Sequence, residues 1–248
     1  MRYLVLTDIH ANLEALDTCL ADALEHTYDA TLVLGDLVGY GPDPNMVVDR
    51  VQALNPVGIV RGNHDKVACG LEQAEGFNSV AKNAAKWTLD ILKPAHRDWL
   101  CALPAGPTEV DDVVEICHGS PFDEDAYIFD ELDAVRALKV ATRPLCLFGH
   151  THYPVTFELS EESFDSVGSS SSAPHMYVQM RDGCKYLINP GSVGQPRDGD
   201  PRAACAIVDT SQRRVELFRL RYPVDETQTK IIKAGLPEVL AQRLGVGR

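Results

Sequence analysis

Short apolar segments that each end in glycine, aspartate, asparagine or histidine constrain the fold of this chain most strongly. Such segments, rich in branched side chains, are typical of strands buried on both faces of a sheet. They comprise residues 3–7, 31–34, 57–60, 113–117 and 145–148. Between several of them lie predicted helices, in which leucine and valine recur at helical spacing, at residues 12–26, 42–54 and 131–139. The alternation predicts an α/β fold with parallel strands, with Asn12 capping the first helix and Pro42 near the start of the second.

The remaining segments predict a long helical region and then an antiparallel portion. Residues 65–103 read as helical, and the tail from residue 225 to 248 does so again. Between them we expect strands at residues 155–159, 177–180, 186–188, 203–209 and 215–221. Residues 168–172 have the composition of a flexible loop. No linker is evident, so we expect one domain over residues 1–248, in which each half of the chain contributes one sheet.

Composition excludes some function classes. The chain has 248 residues and a formal net charge of −13, from 23 Lys and Arg against 36 Asp and Glu. An acidic chain of this kind is not expected to bind nucleic acid in general, and an anionic substrate would need local cations. The seven cysteines include no C-x-x-C pair, which is typical of buried thiols in a reducing compartment. The early apolar run is too short for a signal peptide and no run is long enough to span a membrane, so we expect a cytoplasmic protein without membrane contact.

The polar residues that follow the strands share one chemistry. Ligands of an α/β sheet bind outside the carboxyl ends of its strands, where these side chains should converge. Carboxylate, imidazole and amide oxygen suit manganese, iron, zinc, cobalt or nickel. The candidate metal ligands are Asp8, His10, Asp36, Asn63, His118, His150 and His152. Seven ligands are too many for one tetrahedral ion but enough for two ions that share a bridging carboxylate.

The order of the motifs resembles the calcineurin-like metallophosphoesterase superfamily. The motifs are D-x-H at 8–10, G-D at 35–36, G-N-H-D at 62–65, H-G at 118–119 and G-H-T-H at 149–152. The segments DIHANLEAL, HGSP and INPGSVGQPR resemble the small bacterial and archaeal phosphodiesterase branch. The resemblance implies a four-layer αββα sandwich, in which two mixed β-sheets are flanked by helices and a dinuclear metal site lies at the carboxyl ends of the strands.

The resemblance also implies how the ligands are divided. One ion would be held by Asp8, His10, Asp36 and His152, and the other by Asp36, Asn63, His118 and His150, so that Asp36 bridges them. The ions would be divalent or mixed-valence, with manganese expected first. A hydroxide that bridges the metals would attack phosphorus in line, and His64 would protonate the leaving oxygen as general acid. The catalytic residues would then be His64 and Asp36.

At one motif the sequence differs from many members of the superfamily, and the difference argues against a protein phosphatase. Many protein phosphatases of the superfamily carry an Asp-Arg pair where this chain has Gly39 and Tyr40. His64 then lacks its usual carboxylate partner, for which Asp65 or another group would substitute. Tyr40 is expected to line the substrate pocket together with Asn63 and His64. Arg197 either reaches the substrate phosphate or is a solvated loop residue, and Asn189 either supports its turn or braces a ligand histidine.

The sequence therefore favours a metal-dependent phosphodiesterase or phosphomonoesterase that acts on a small or nucleotide-like phosphate ester. A dinucleoside-polyphosphate hydrolase or a Ser/Thr protein phosphatase would share the same metal ligands. A non-catalytic scaffold on the same fold is the alternative from another class. The natural substrate and the oligomeric state stay open.

Overall fold

A computed structural model describes residues 1–161, 163–168 and 173–248. In these residues the strands are β1 Arg2–Leu6, β2 Ala30–Val33, β3 Gly58–Ile59, β4 Thr108–Glu109, β5 Val114–Ile116, β6 Leu145–Leu147, β7 Val155–Leu159, β8 Phe164–Gly168, β9 His175–Gln179, β10 Lys185–Asn189, β11 Ala203–Asp209 and β12 Arg214–Leu220. The helices are α1 Leu13–His26, α2 Pro44–Leu54, α3 Asn63–Cys69, α4 Ser79–Ile91, α5 Pro94–Cys101, α6 Glu131–Val140, α7 Val224–Lys233 and α8 Glu238–Leu244. The loop expected at 168–172 lies, beyond Gly168, outside the described residues.

The strands form two mixed sheets, as the sequence predicts. The first sheet has the order β3-β2-β1-β11-β12-β9, and the second has the order β4-β5-β6-β10-β7-β8. In the first sheet β1 is parallel to β2 and antiparallel to β11. In the second, β10 is parallel to β6 and antiparallel to β7. The short strands β4 and β8 were not predicted.

The expectation that each half of the chain contributes one sheet is wrong. Strands β11 and β12, from the carboxyl-terminal half, join the first sheet beside β1. The physical reason lies in β1, which is apolar on both faces and would otherwise leave one edge unpaired. The seven residues of β11 are all buried, and four of them pair with that edge, from Asp209 opposite Arg2 to Ala206 opposite Val5.

Apolar side chains pack in successive layers. Tyr3 and Leu32 of the first sheet meet Leu145 and Tyr186 of the second, which fills the space between the sheets. Helices α1 and α2 cover the outer face of the first sheet, and α6 covers the outer face of the second. The four-layer sandwich is therefore confirmed. None of the helices in the described part of the chain is long and apolar enough to cross a membrane.

The region predicted as helical over residues 65–103 is three helices. Helix α3 ends at Gly70, which adopts a left-handed conformation with φ +86°, and α5 begins with Pro94 at its first turn. Helix α3 also begins earlier than expected, so that Asn63 and His64 lie in its first turn. Pro44, rather than Pro42, opens α2. Asn12 caps α1 as expected, because its Oδ1 accepts a hydrogen bond from Ala15 N at 3.2 Å.

The tail forms α7 and α8, which confirms its predicted helical character. Both helices pack against α4 and against the ring of Tyr40, through side chains that include Ile231, Leu240 and Leu244. Thr227 on α7 also donates a hydrogen bond to Asn12 Oδ1 at 3.1 Å. The tail is therefore fixed next to the segment that follows β2.

Candidate metal centre

The predicted ligands lie at the carboxyl ends of strands from both sheets, rather than along the rim of a single sheet. Strands β1, β2 and β3 of the first sheet lead to Asp8, His10, Asp36 and Asn63, and strands β5 and β6 of the second lead to His118, His150 and His152. Five of these ligands have positive φ, between +48° and +67°. They are Asp8, His10, Asp36, His150 and His152. Residues other than glycine rarely adopt this backbone conformation, and such strain is typical of functional sites.

The first group of ligand atoms belongs to Asp8, His10, Asp36 and His152. All four residues are buried, and one ligand atom from each lies within 4.8 Å of the others. His10 Nε2 is 3.2 Å from His152 Nε2 and 3.5 Å from Asp36 Oδ2. His152 Nε2 is 3.3 Å from Asp8 Oδ1. These are the residues that the family resemblance assigns to one metal ion.

The second group contains Asp36, His118 and His150. His118 Nε2 lies 3.5 Å from Asp36 Oδ2 and 3.1 Å from His150 Nδ1. Asn63 Oδ1 joins them at 3.3 Å from His118 Nε2. The oxygen Asp36 Oδ2 therefore faces a histidine nitrogen of each group at the same distance, which is the geometry that a bridging carboxylate requires.

The histidine rings are held by main-chain carbonyls, and this fixes which nitrogen faces the centre. The pairs are His10 Nδ1 with Val38 O at 3.1 Å, His118 Nδ1 with Leu34 O at 2.7 Å, His150 Nε2 with Asp125 O at 3.1 Å and His152 Nδ1 with Gln195 O at 2.6 Å. A carbonyl only accepts, so each of these nitrogens must carry the proton. In a neutral ring the other nitrogen then carries a lone pair that points towards the centre.

The lone pairs repel one another unless a cation lies between them. Burial lowers the pKa of both His10 and His152 well below the ordinary value, so protons do not supply that cation. Burial also lowers the pKa of His118, but the carboxylates of Asp36 and Asp8 outweigh burial and raise it to about 10. The centre therefore favours positive charge beside Asp36, a place that a metal ion takes by displacing a proton. The donor set thus fits two divalent ions.

Glycines allow the backbone to approach the ligands closely. A Cβ atom at Gly62 would lie 2.1 Å from Asp36 Oδ1. A Cβ atom at Gly149 would lie 2.1 Å from Thr7 Oγ1 and 2.7 Å from Asp8 Oδ2. Both positions exclude any larger residue without displacement of a ligand carboxylate.

The carboxylates and the histidine segment are held by further hydrogen bonds. Asp36 Oδ1 accepts from His64 N at 2.9 Å, and Asp8 Oδ2 accepts from Thr7 Oγ1 at 2.8 Å. Asn189 Nδ2 donates to Gly149 O at 2.7 Å and to Thr151 Oγ1 at 3.0 Å, which braces the segment of His150 and His152. Its Oδ1 also accepts from Gly191 N at 2.9 Å, so Asn189 supports its own turn and contacts the neighbours of the two histidines rather than their rings.

His64 lies beside the ligands and is held by aromatic rings. Its ring centroid is 4.3 Å from that of Tyr40, 4.5 Å from that of Phe77 and 4.9 Å from that of His10. Its Nδ1 is buried and has no hydrogen-bond partner among the described residues. Burial lowers the pKa of the ring to about 4. Asp65 does not replace the missing carboxylate partner of His64, because it accepts instead from Gly62 N at 3.0 Å and Val38 N at 3.2 Å.

Tyr40 and Arg197 lie on the same side of the centre as His64. The ring of Tyr40 is buried, with its centroid 4.8 Å from that of His10. Arg197 is half-buried rather than solvated, and its Nη2 lies 3.5 Å from both Tyr40 Oη and Gln195 Oε1. The sequence did not predict Phe77 or Arg243 as neighbours of this region. Phe77 is an aromatic residue in an otherwise polar segment, and nothing in the pattern around either residue indicates a place beside the centre.

Comparisons with known proteins agree with this fold. A family model described as the calcineurin-like phosphoesterase superfamily domain matches residues 1–213. An uncharacterized protein of Methanocaldococcus jannaschii is 36% identical over 249 residues, which cover 98% of this chain and 97% of that protein. The crystal structure of a metallophosphoesterase from Sphaerobacter thermophilus has 37% identity and a TM-score of 0.87, with all of both chains covered. A hypothetical protein from Pyrococcus horikoshii shares the fold, with 20% identity and a TM-score of 0.79 over 100% of this chain and 98% of that one.

Proposed function

This chain belongs to the calcineurin-like phosphoesterase superfamily, and we propose that it hydrolyses the P–O bond of a small phosphate ester with two bound metal ions. The proposal covers phosphodiesterase and phosphomonoesterase activity. The observation that carries it is Asp36 Oδ2, which faces His10 Nε2 and His118 Nε2 at 3.5 Å each, in the middle of two groups of potential ligands.

We propose the division of ligands that the family resemblance implies, and the two groups of neighbouring side chains support it. Asp8, His10 and His152 would hold one ion, Asn63, His118 and His150 would hold the other, and Asp36 would hold both. Nitrogen and oxygen donors of this kind accept manganese, iron, zinc, nickel or cobalt, and we propose manganese first. Two bound ions would draw charge from the phosphoryl oxygens and lower the pKa of a coordinated water.

His64 is the proposed general acid. Its Nδ1 faces Gly39, where a Cβ atom would lie 2.5 Å away, so Nε2 is the nitrogen that can reach a substrate. Because burial lowers the pKa of the free ring to about 4, the ring would take its second proton when the negative charge of a bound phosphate raises that pKa, and Nε2 would then donate to the leaving oxygen as the P–O bond breaks. The backbone N–H of His64 meanwhile donates to Asp36 Oδ1, which couples the position of the acid to that of the shared carboxylate. We propose that Asn63, Tyr40 and Arg197 contact the substrate.

A direct test loads the purified chain with manganese and measures both bound metal and hydrolysis of bis(p-nitrophenyl) phosphate and p-nitrophenyl phosphate. We expect two ions per chain and turnover that a chelator abolishes. Two bound ions without any hydrolysis would favour the non-catalytic scaffold, and a chain that binds no metal would contradict the proposal.

A second panel separates the enzymatic alternatives. Cyclic nucleotides, dinucleoside polyphosphates and phosphoproteins are offered to the same preparation. Tyr40 occupies the place of the arginine that clamps phosphate in many protein phosphatases of the superfamily, so we expect the phosphoproteins to be the poorest substrates. The cytoplasmic location stays a prediction from the sequence.

A further inference from the structure

Two guanidinium groups flank the ring of Tyr40. The Cζ of Arg197, which follows β10, lies 5.9 Å from the ring centroid, and the Cζ of Arg243, on α8, lies 5.8 Å from it. The ring also contacts the rings of His64 and His10, with centroids 4.3 Å and 4.8 Å away. The two positive charges are therefore separated from the proposed acid by a single aromatic ring.

Neither arginine is paired with an Asp or Glu carboxylate in the part of the chain that the structure describes. Arg197 has only contacts of 3.5 Å to Tyr40 Oη and Gln195 Oε1, and its buried Nε has no partner. Arg243 Nε donates to Arg248 O at 2.8 Å. The acids of the same loop are engaged elsewhere, since Asp198 pairs with Arg219 and Asp200 pairs with Arg202.

The two charges also repel each other. Burial lowers the pKa of Arg243, and the nearby charge of Arg197 lowers it further. Holding two half-buried like charges together without an anion costs free energy that does not serve the packing of the fold. An anion within reach of both groups would relieve this cost through charge-assisted hydrogen bonds.

Arg243 is held in place by the packing of its helix. Leu240 and Leu244 on α8 are buried in the cluster that contains Tyr40, and Gly199 N donates to Gly247 O at 2.9 Å. Helix α8 lies beyond residues 1–213, the part that matches the superfamily model. The carboxyl-terminal helices therefore add a cation to the surroundings of the superfamily's centre.

We propose that Arg197 and Arg243 form a subsite for a second anionic group of the substrate, beside the phosphoryl group that is hydrolysed. This inference rests on the proposed function, because it places that group one ring away from His64. It narrows the substrate class to phosphate esters that carry a further phosphoryl or carboxylate group. A diester without such a group would be hydrolysed but not held by the two arginines.

Three phosphonates test the subsite without turnover. Methylphosphonate carries one phosphonate group, phosphonoacetate adds a carboxylate, and methylenediphosphonate adds a second phosphonate. Calorimetric titration of the manganese-loaded chain gives the Kd of each, and metal content is measured afterwards because the last compound chelates. We expect Arg243→Met and Arg197→Met each to reduce the preference for the two doubly anionic compounds over methylphosphonate about tenfold, as loss of a charge-assisted hydrogen bond does.

Matched variants make the result specific. Arg97, exposed on α5, is the control, and Arg97→Met should leave the preference unchanged. Arg243→Lys, which retains the charge, should recover part of what Arg243→Met loses. The two methionine variants lie on different elements, so misfolding of one leaves the other as an independent test.

The outcomes separate the two proposals. An unchanged preference in both methionine variants would overturn the subsite, even if the chain hydrolyses phosphate esters. A reduced preference in a chain that hydrolyses no ester would support the subsite and contradict the proposed function. If only methylenediphosphonate binds more tightly than methylphosphonate, the subsite takes a phosphoryl group. If only phosphonoacetate does so, the subsite takes a carboxylate.

Discussion

Two regions of the candidate site meet at His10 and are built in different ways. On one side is the ligand cluster, which consists of Asp8, His10, Asp36, Asn63, His118, His150 and His152. On the other is the Tyr40 surface, which consists of Tyr40, His64, Phe77, Arg197 and Arg243. The ligand cluster comes mainly from the ends of central strands, and main-chain carbonyls hold its histidine rings. The Tyr40 surface comes from loops and short helices and is held by ring contacts.

We expect this difference to separate metal binding from the acid step and from substrate choice. Ligands on rigid strand ends keep the geometry that a metal centre needs, and strained backbone is tolerated there because the sheets enforce it. A surface built on loops and on helices near the end of the chain can change without loss of the centre. We therefore expect variants of the ligand cluster to affect metal binding and variants of the Tyr40 surface to affect turnover or substrate choice.

His64→Ala is expected to have the largest effect on turnover while both metals stay bound. Loss of a general acid lowers kcat by about 10²- to 10⁴-fold, and more for substrates with poor leaving groups. Steady-state kinetics with phenyl and p-nitrophenyl esters, together with metal analysis, checks this. His26→Ala, at the end of α1, is the control. Loss of metal from His64→Ala would show that His64 belongs with the ligand cluster.

Gly62→Ala should damage the ligand cluster. The added Cβ would lie 2.1 Å from Asp36 Oδ1, so the shared carboxylate must move. A misplacement of about 1 Å costs about 10²-fold in kcat/KM. The metal affinity should fall as well. Gly76→Ala is a matched control, because a Cβ there meets nothing within 4 Å. Full metal affinity in Gly62→Ala would contradict the described packing of Asp36.

Asn189→Ala should weaken metal binding without removing a ligand. The variant loses the donor that braces Gly149 and Thr151, and loss of such a brace typically costs about 10- to 100-fold in metal affinity. Competition with a chelator measures the effect. Asn189→Asp also lacks the donor and should behave similarly. Normal affinity in Asn189→Asp would show that the amide donor is not what positions His150 and His152.

Phe77→Leu is expected to have the smallest effect and to leave the metals in place. Loss of one ring contact to His64 should lower kcat about 3- to 10-fold, in line with the worth of an aromatic pair. Phe77→Tyr keeps the ring and should retain activity. Kinetics and metal content are measured on both variants, and a Phe77→Leu variant that loses metal would mean that the two sides are not separable.

The side chains of the ligand cluster lie close together as the sequence predicted, and the reason is physical. Each predicted ligand follows a strand or a helix start in a short motif, and buried strands fix where such motifs must meet. The Tyr40 surface could not be predicted in the same way. Phe77 and Arg243 reach it through the packing of α4, α7 and α8, which depends on tertiary contacts that no local pattern encodes.

Sheet membership shows the same limit. The strand at residues 203–209 was predicted with its correct bounds, but its partner was not, because alternation and burial say nothing of which edge a strand joins. The ring contacts of His64 were also missed, since tilted contacts with Tyr40 and Phe77 leave no motif comparable to a carboxylate at a fixed spacing.

The most direct test of the bridging role of Asp36 is the metal content of the wild-type chain and of Asp36→Asn. Both are loaded with manganese, dialysed exhaustively and analysed by atomic emission. Because Asp36 Oδ2 faces both groups of ligands, we predict two ions per chain in the wild type and a joint loss of both from Asp36→Asn. A wild-type chain that holds a single ion, or an Asp36→Asn variant that loses only one, would contradict the dinuclear centre.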